Sequence, residues 1–234
     1  MIRVSTGING LNEMIDGGIP AGHSVAIIGP PGSGKTTFCL QYIWDGLQKD
    51  DHCLYISLEE EEDRLLQTAM NYGWEFKKYI DRDMLSLIKL DAFDITGTMD
   101  RMLSELPKLI NKNGVKRLVI DPFIHIEMGF ADDHKRRVNI YELIRRLAKT
   151  GVTTLITTEN LEGVHSHFGI LESIVDAVFL LQIIRSTERG ALIYAFQVNK
   201  MRWSAHSKDI KPYAITGRGI EIYRESNVYW SEKE

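Results

Sequence analysis

Cysteine is nearly missing from this chain: Cys39 and Cys53 are the only two in 234 residues. That pair gives neither a disulfide framework nor a metal-ligand spacing, and both positions suit a small buried hydrophobe. Proline is scarce too, at six. No stretch is rich in Pro, Gly or Ser, and no low-complexity segment or repeat occurs, which excludes linker-joined and solenoid architectures. No apolar run reaches the ~20 residues that span a bilayer, and there is no signal peptide. Positive charge is not in excess: 28 Lys and Arg face 32 Asp and Glu, a net charge of −4. That argues against nucleic-acid binding through bulk charge, while a local basic patch stays open. These absences together lead us to expect a soluble, reduced, cytoplasmic protein without a membrane partner.

What is present is ordinary globular material, 44% hydrophobic and 26% charged. The length suits a single α/β domain over residues 1–234 with one large core. Apolar strands alternate with amphipathic helices. Strands are predicted at 24–28, 52–57, 84–90, 117–121 and 151–158, and helices at 37–44, 61–72, 98–110 and 138–149. This alternation predicts a mostly parallel sheet covered by helices. Beyond about residue 174 the pattern turns β-rich. Segments 175–182 and 192–198 read as a hairpin turning at Thr187–Gly190, and 213–215 pairs with 219–223. The sheet is expected to continue antiparallel there.

One stretch names a ligand. Gly29-Pro30-Pro31-Gly32-Ser33-Gly34-Lys35-Thr36 matches the phosphate-loop pattern G-x-x-x-x-G-K-[ST] in full, between an apolar strand and a helix that opens with Thr37. Glycines let the backbone wrap a polyphosphate, and the helix adds free N–H groups and its positive dipole end. Gly29 to Thr37 are therefore the candidate nucleotide-binding residues. Lys35 would reach the β- and γ-phosphates, and Thr36 would complete a magnesium shell.

Hydrolysis needs more than a cradle. Asp121 ends an apolar strand, the usual place for the second magnesium anchor. Glu59 and Glu60 follow another strand and open the acidic run Glu59–Asp63. Acids at 61–63 suit the first turn of a helix. Glu59 is then the candidate base for the attacking water, with Glu60 in support. Thr157-Thr158-Glu159 ends a third strand at the same edge, where the Thr158 hydroxyl could sense a γ-phosphate. Lys200 and Arg202 project to one side of an extended chain; their spacing alone fits either a surface pair or a functional one.

Several motifs together resemble the KaiC-like ATPases, a branch of the RecA fold that includes the circadian clock ATPase and archaeal single-domain relatives. The likeness rests on Ser5–Asn12 with Gly17–Pro20, Tyr55–Glu60, Tyr72-Gly73-Trp74, Thr157–Glu159, and Lys200-Met201-Arg202 with His206, in order, from about residue 4 to about 223. It implies a RecA-like P-loop fold, ATP and Mg2+ as cofactors, and a hexameric ring with ATP between subunits. It further implies that Glu59 and Glu60 are the catalytic glutamates. Lys200 and Arg202 would be a finger reaching the neighbour's nucleotide, with His206 near that same nucleotide. Glu172 and Ser173 stand where the clock protein has adjacent phosphorylated Ser and Thr; one acceptor is replaced by an acid, and no circadian role follows. Two other readings stay open. One is a DNA-binding recombinase paralogue of the RadA type, for which the loop 160–168 would face the ring centre with His165 and His167 but no Lys or Arg. The other is a nucleotide switch with little turnover, like the archaellum component FlaH. Asp132–Arg137 is the best basic cluster for nucleic acid. A protein client is implied but not named by the residues.

Overall fold

The computed structural model describes residues 1–91, 93–159, 169–185 and 192–228. A short ribbon of β1 (Arg3–Val4) and β2 (Ile19–Pro20) flanks α1 (Leu11–Met14). The main sheet holds β3 (Ser24–Ile28), β4 (Cys53–Ser57), β5 (Leu85–Lys89), β6 (Arg117–Asp121), β7 (Thr153–Thr158), β8 (Ala177–Arg185), β9 (Leu192–Met201), β10 (Lys211–Thr216) and β11 (Gly219–Ile222). Its order is β11-β10-β9-β8-β3-β7-β6-β4-β5. From β8 through β5 all neighbours are parallel; β8 to β11 run antiparallel. Every residue of β3, β4, β6 and β7 is buried, as expected of a parallel sheet covered on both faces. The predicted α/β architecture with an antiparallel C-terminal end is the one observed.

Strand alternation divides the core in two. Val25, Ile27, Tyr55 and Val119 pack toward α2 (Lys35–Leu47) and α3 (Glu62–Asn71). Ala26, Ile28, Leu54, Leu118 and Ile120 face the other way, toward α5 (Ile95–Ser104), α6 (Leu106–Asn113) and α8 (Asp133–Thr150). One predicted helix needs correction: 98–110 is two helices, broken at Glu105. Pro107 lies in the first turn of α6, where its missing N–H costs nothing; inside one continuous helix its ring would meet the Leu103 carbonyl. Among the described residues four short helices escaped the sequence reading: α1, α4 (Lys77–Ile80), α7 (Ile124–Met128) and α9 (Gly169–Ile174). The turn read at 187–190 lies outside the described residues. Cys39 and Cys53 are buried and unpaired, as expected.

A buried charge cluster ties the amino-terminal segment to this core. Arg117, 1% exposed at the start of β6, meets Asp45 at 3.0 Å and Asp51 at 2.8 Å. It also donates to the carbonyls of Ser5 and Tyr42. Arg117→Ala would strand two partly buried carboxylates. We expect it to lower unfolding free energy by about 3–5 kcal/mol, read from the denaturant midpoint.

Candidate active site

The phosphate loop leaves the carboxyl end of β3 and becomes α2. Gly34 sits just before the helix at φ +88°, a left-handed conformation that side chains resist. Gly29 has no room for a Cβ, which would lie 2.4 Å from the Leu181 carbonyl and 2.6 Å from Ser33 Oγ. No side chain caps α2; the Phe38 N–H, bonded to the Gly34 carbonyl, begins the helical ladder. The amides before it are therefore available to an anion. Ser33 Oγ is buried without a hydrogen-bond partner at the same bend. Lys35, 8% exposed, folds back over the loop to the carbonyls of Gly29 (2.9 Å) and Pro30 (3.2 Å). An uncapped helix start, an unpartnered buried hydroxyl and a loop-bound ammonium fit a polyphosphate.

The C-terminal hairpin closes over this loop, which the sequence reading missed. Tyr213 donates its hydroxyl to the Ser33 carbonyl at 2.6 Å. Gln41 of α2 clamps Ile220 by both its N–H and its carbonyl, at 2.7 and 3.2 Å.

Parallel register gathers the strand-end residues. Ser57 of β4 pairs with Asp121 of β6, and Ile28 of β3 with Thr158 of β7. Asp121 accepts from Thr36 Oγ1 at 2.9 Å, from Tyr55 at 2.5 Å and from Thr157. Three hydroxyls thus hold one carboxylate beside the loop. Burial and the Asp121 charge push the Tyr55 hydroxyl well above its usual pKa, so it stays a donor. Thr36 and Asp121 are hard oxygen donors on one side of the cradle, a set that suits Mg2+ with its remaining positions on water and phosphate. Among the described residues there is no group of three or more His, Cys, Asp or Glu that could hold a metal ion.

Glu59 is mostly exposed, its Oε2 3.7 Å from His125 Nε2. It borders a cavity of about 580 Å3 shared with Lys89, Phe93, His125 and Met128. Glu60 is half-buried, 3.8 Å from Arg64.

Thr158 departs from expectation. Its hydroxyl bonds the carboxylate of Glu127, on the sheet face away from α2. Successive strand residues alternate faces, so Thr157 and not Thr158 presents its hydroxyl on the Asp121 side. Thr158 meets the loop through its carbonyl, which accepts from Gly29 N at 3.4 Å. Glu159, named in the sequence only as part of a motif, reaches Lys35 Nζ at 3.4 Å. Its signal lay in strand adjacency: β7 neighbours β3, so the residue after Thr158 must lie beside the loop.

Lys200 and Arg202 lie far from all of this. Lys200 pairs with Val178 of β8, which pairs with Ala26 at the middle of β3, while Arg202 N–H bonds the Asp176 carbonyl and Asp176 N–H the carbonyl of Ser24 at the start of β3. Strand rise and spacing then put the Lys200 backbone roughly 14 Å from Gly29 and that of Arg202 farther still. Lys200 donates to the carbonyls of Glu172 and Val175, both at 2.7 Å, and Arg202 to those of Ser173 (2.9 Å) and Ile174 (3.3 Å). These are the last carbonyls of α9 and its exit, a favourable place for cations. Burial, then the charge of Arg202, hold the Lys200 ammonium below its usual pKa. His206 is half-buried, its Nδ1 3.3 Å from the Ser204 carbonyl.

The basic cluster at the start of α8 is weaker than it reads in sequence. Arg136 is 4% exposed and turns inward to Asp133 and the Glu127 carbonyl. The loop proposed to face a ring centre, 160–168, lies outside the described residues. No helix among those described is long and apolar enough to cross a membrane.

Comparison with known proteins agrees with this geometry. The family profile described as "ATPase: KaiC" matches residues 4–227. The circadian clock oscillator protein KaiC of Prochlorococcus marinus subsp. pastoris is 30% identical over 230 residues, covering 94% of this chain and 45% of that protein. KaiC of Synechococcus elongatus is 26% identical over 230 residues, covering 94% and 44%. The chain thus spans a little under half the length of these relatives. The crystal structure of a KaiC-like protein from the archaeon Pyrococcus horikoshii OT3 superposes with a TM-score of 0.83 at 31% identity, covering 95% of this chain and 99% of that one. A phosphate loop, its acidic partner strands and a RecA-like sheet, matched along nearly the whole chain, place this protein in the KaiC ATPase family.

Proposed function

We propose that residues 1–234 form one cytoplasmic ATPase domain that works as a homo-oligomeric, hexamer-type ring, hydrolysing ATP slowly at subunit interfaces to regulate a protein client. One observation carries the reading. Arg202 lies level with the start of β3, at the end of the sheet away from its own phosphate loop, which supports a role for the Lys200–Arg202 pair at another chain's nucleotide. A single head-to-tail interface repeated around a closed ring supplies that arrangement.

In this reading Gly29 to Thr37 hold the phosphates, and Lys35 neutralises their β- and γ-oxygens. Thr36 and Asp121 would hold Mg2+, which would supply positive charge to offset that of the phosphates. Glu59 takes the proton of the attacking water, with Glu60 beside it. The openness of Glu59 in one chain fits a site completed by its neighbour. Arg202 and Lys200 of that neighbour stabilise charge on the transferring phosphoryl group, with His206 close by.

Light-scattering mass with and without MgATP, with phosphate release followed on the same samples, tests this. We expect a multimer of six chains and turnover that falls when dilution dissociates it. Full turnover in a sample that scatters as a single chain would overturn it.

A further inference from the structure

Glu127 is a buried acid outside the set of residues assigned above. It sits on α7 and is 6% exposed. Burying a carboxyl is costly beside an apolar residue of the same size. Its surroundings suggest what offsets that cost. Its carboxylate takes the Thr158 hydroxyl. Thr158 is the node of the phosphate loop's rear wall: its carbonyl accepts from Gly29 N, its backbone registers with Ile28, and the next residue, Glu159, meets Lys35. The same short helix carries His125 toward Glu59.

We propose that Glu127 is a positioning residue for ATP hydrolysis: through the Thr158 hydroxyl it fixes the end of β7, and with it the placement of Gly29 and Glu159 around Lys35. The proposal rests on the phosphate-loop assignment. It also links the loop to α9. The charged groups facing Glu127 are Arg136 from α8, which lowers its pKa, and Glu172 from α9, which raises it. Glu172 belongs to the helix end that holds Lys200 and Arg202.

The bond is also pH-sensitive. Burial, outweighing the Thr158 bond and the Arg136 charge, pushes the Glu127 carboxyl up to about 7. Below that pH Thr158 bonds a neutral acid; above it the acceptor is charged and the bond is stronger. The loop is therefore held more firmly on the alkaline side.

The test uses the full chain and steady-state MgATP hydrolysis from pH 5.5 to 9, with nucleotide affinity and thermal melting measured alongside. Wild type should show a rise in kcat/KM through about pH 7. Glu127→Gln and Thr158→Val should each lower kcat/KM by about tenfold above that pH, mainly through KM, and flatten the rise. Because the two act as one unit, the double variant should be no worse than the poorer single. Thr158→Ser should restore both rate and pH profile, which mere packing loss would not predict. Wild-type kinetics and pH profile in Glu127→Gln, or a double variant equal to the product of the singles, would overturn the proposal. A folded wild type that binds no MgATP would instead sink the phosphate-loop assignment, and this proposal with it.

Discussion

Glu59→Gln is expected to keep MgATP affinity near wild type and to lower turnover by about 10²–10⁴, the range that a positioned general base supplies. Gln keeps the shape and hydrogen-bonding reach of Glu but cannot accept the proton of the attacking water. In the proposed site the phosphates are bound by the Gly29–Thr36 loop and Lys35, whereas Glu59 lies toward His125. Affinity and turnover should therefore separate. The measurement is phosphate release at saturating ATP together with nucleotide binding under the same conditions. Full turnover in Glu59→Gln would remove Glu59 as the base and leave the half-buried Glu60 as the carboxylate to test next.

Arg202→Ala carries the larger expected loss. Arginine fingers contribute about 10³–10⁵ in kcat where they have been removed, because they offset charge that develops only in the transition state. In this chain Arg202 spends its donors on the Ser173 and Ile174 carbonyls at the exit of α9. Those bonds are exposed and replaceable by water, so the variant should fold with little change in melting temperature. Assembly should also survive, since one exposed cation is a small part of an interface. The expected result is a ring of wild-type mass, wild-type MgATP affinity and almost no turnover. Wild-type turnover in an assembled ring of Arg202→Ala would refute the finger role.

Much of the fold was legible because buried parallel strands write themselves as short apolar runs. Ser24–Ile28 and Arg117–Asp121 were read with the bounds the structure has. The phosphate loop was legible because its chemistry is local: one turn, one lysine, one hydroxyl. Elements shorter than two helical turns were not, since α7 and α9 offer too few residues for a 3.6-residue period to show. Pro107 was a readable stop signal that the longer apolar pattern of 98–110 concealed. Contacts that depend on strand order stayed hidden. Glu159 beside Lys35, Thr158 turned to Glu127, and Tyr213 on the Ser33 carbonyl follow from β3 lying between β7 and β8 and from the hairpin folding back. No local spacing encodes that order. The face on which Thr158 lies was an error of parity by one residue, the usual hazard of a period of two.

Lys200 and Arg202 show the same limit most sharply. Their spacing left two readings open; the pairing of β9 with β8, and of β8 with β3, adds that they lie away from their own phosphate loop, on the carbonyls at the exit of α9. The proposed site shared between chains can be tested without knowing the client. Glu59→Gln and Arg202→Ala, each nearly inactive alone, are mixed in equal amounts under conditions that let subunits exchange. In a shared site some interfaces pair an intact Glu59 from one chain with an intact Arg202 from the next. Turnover should then recover to about a quarter of wild type, the fraction of interfaces expected to be fully intact in a randomly mixed ring. No recovery in rings shown to have exchanged their subunits would mean that base and finger act within one chain, and would contradict the account.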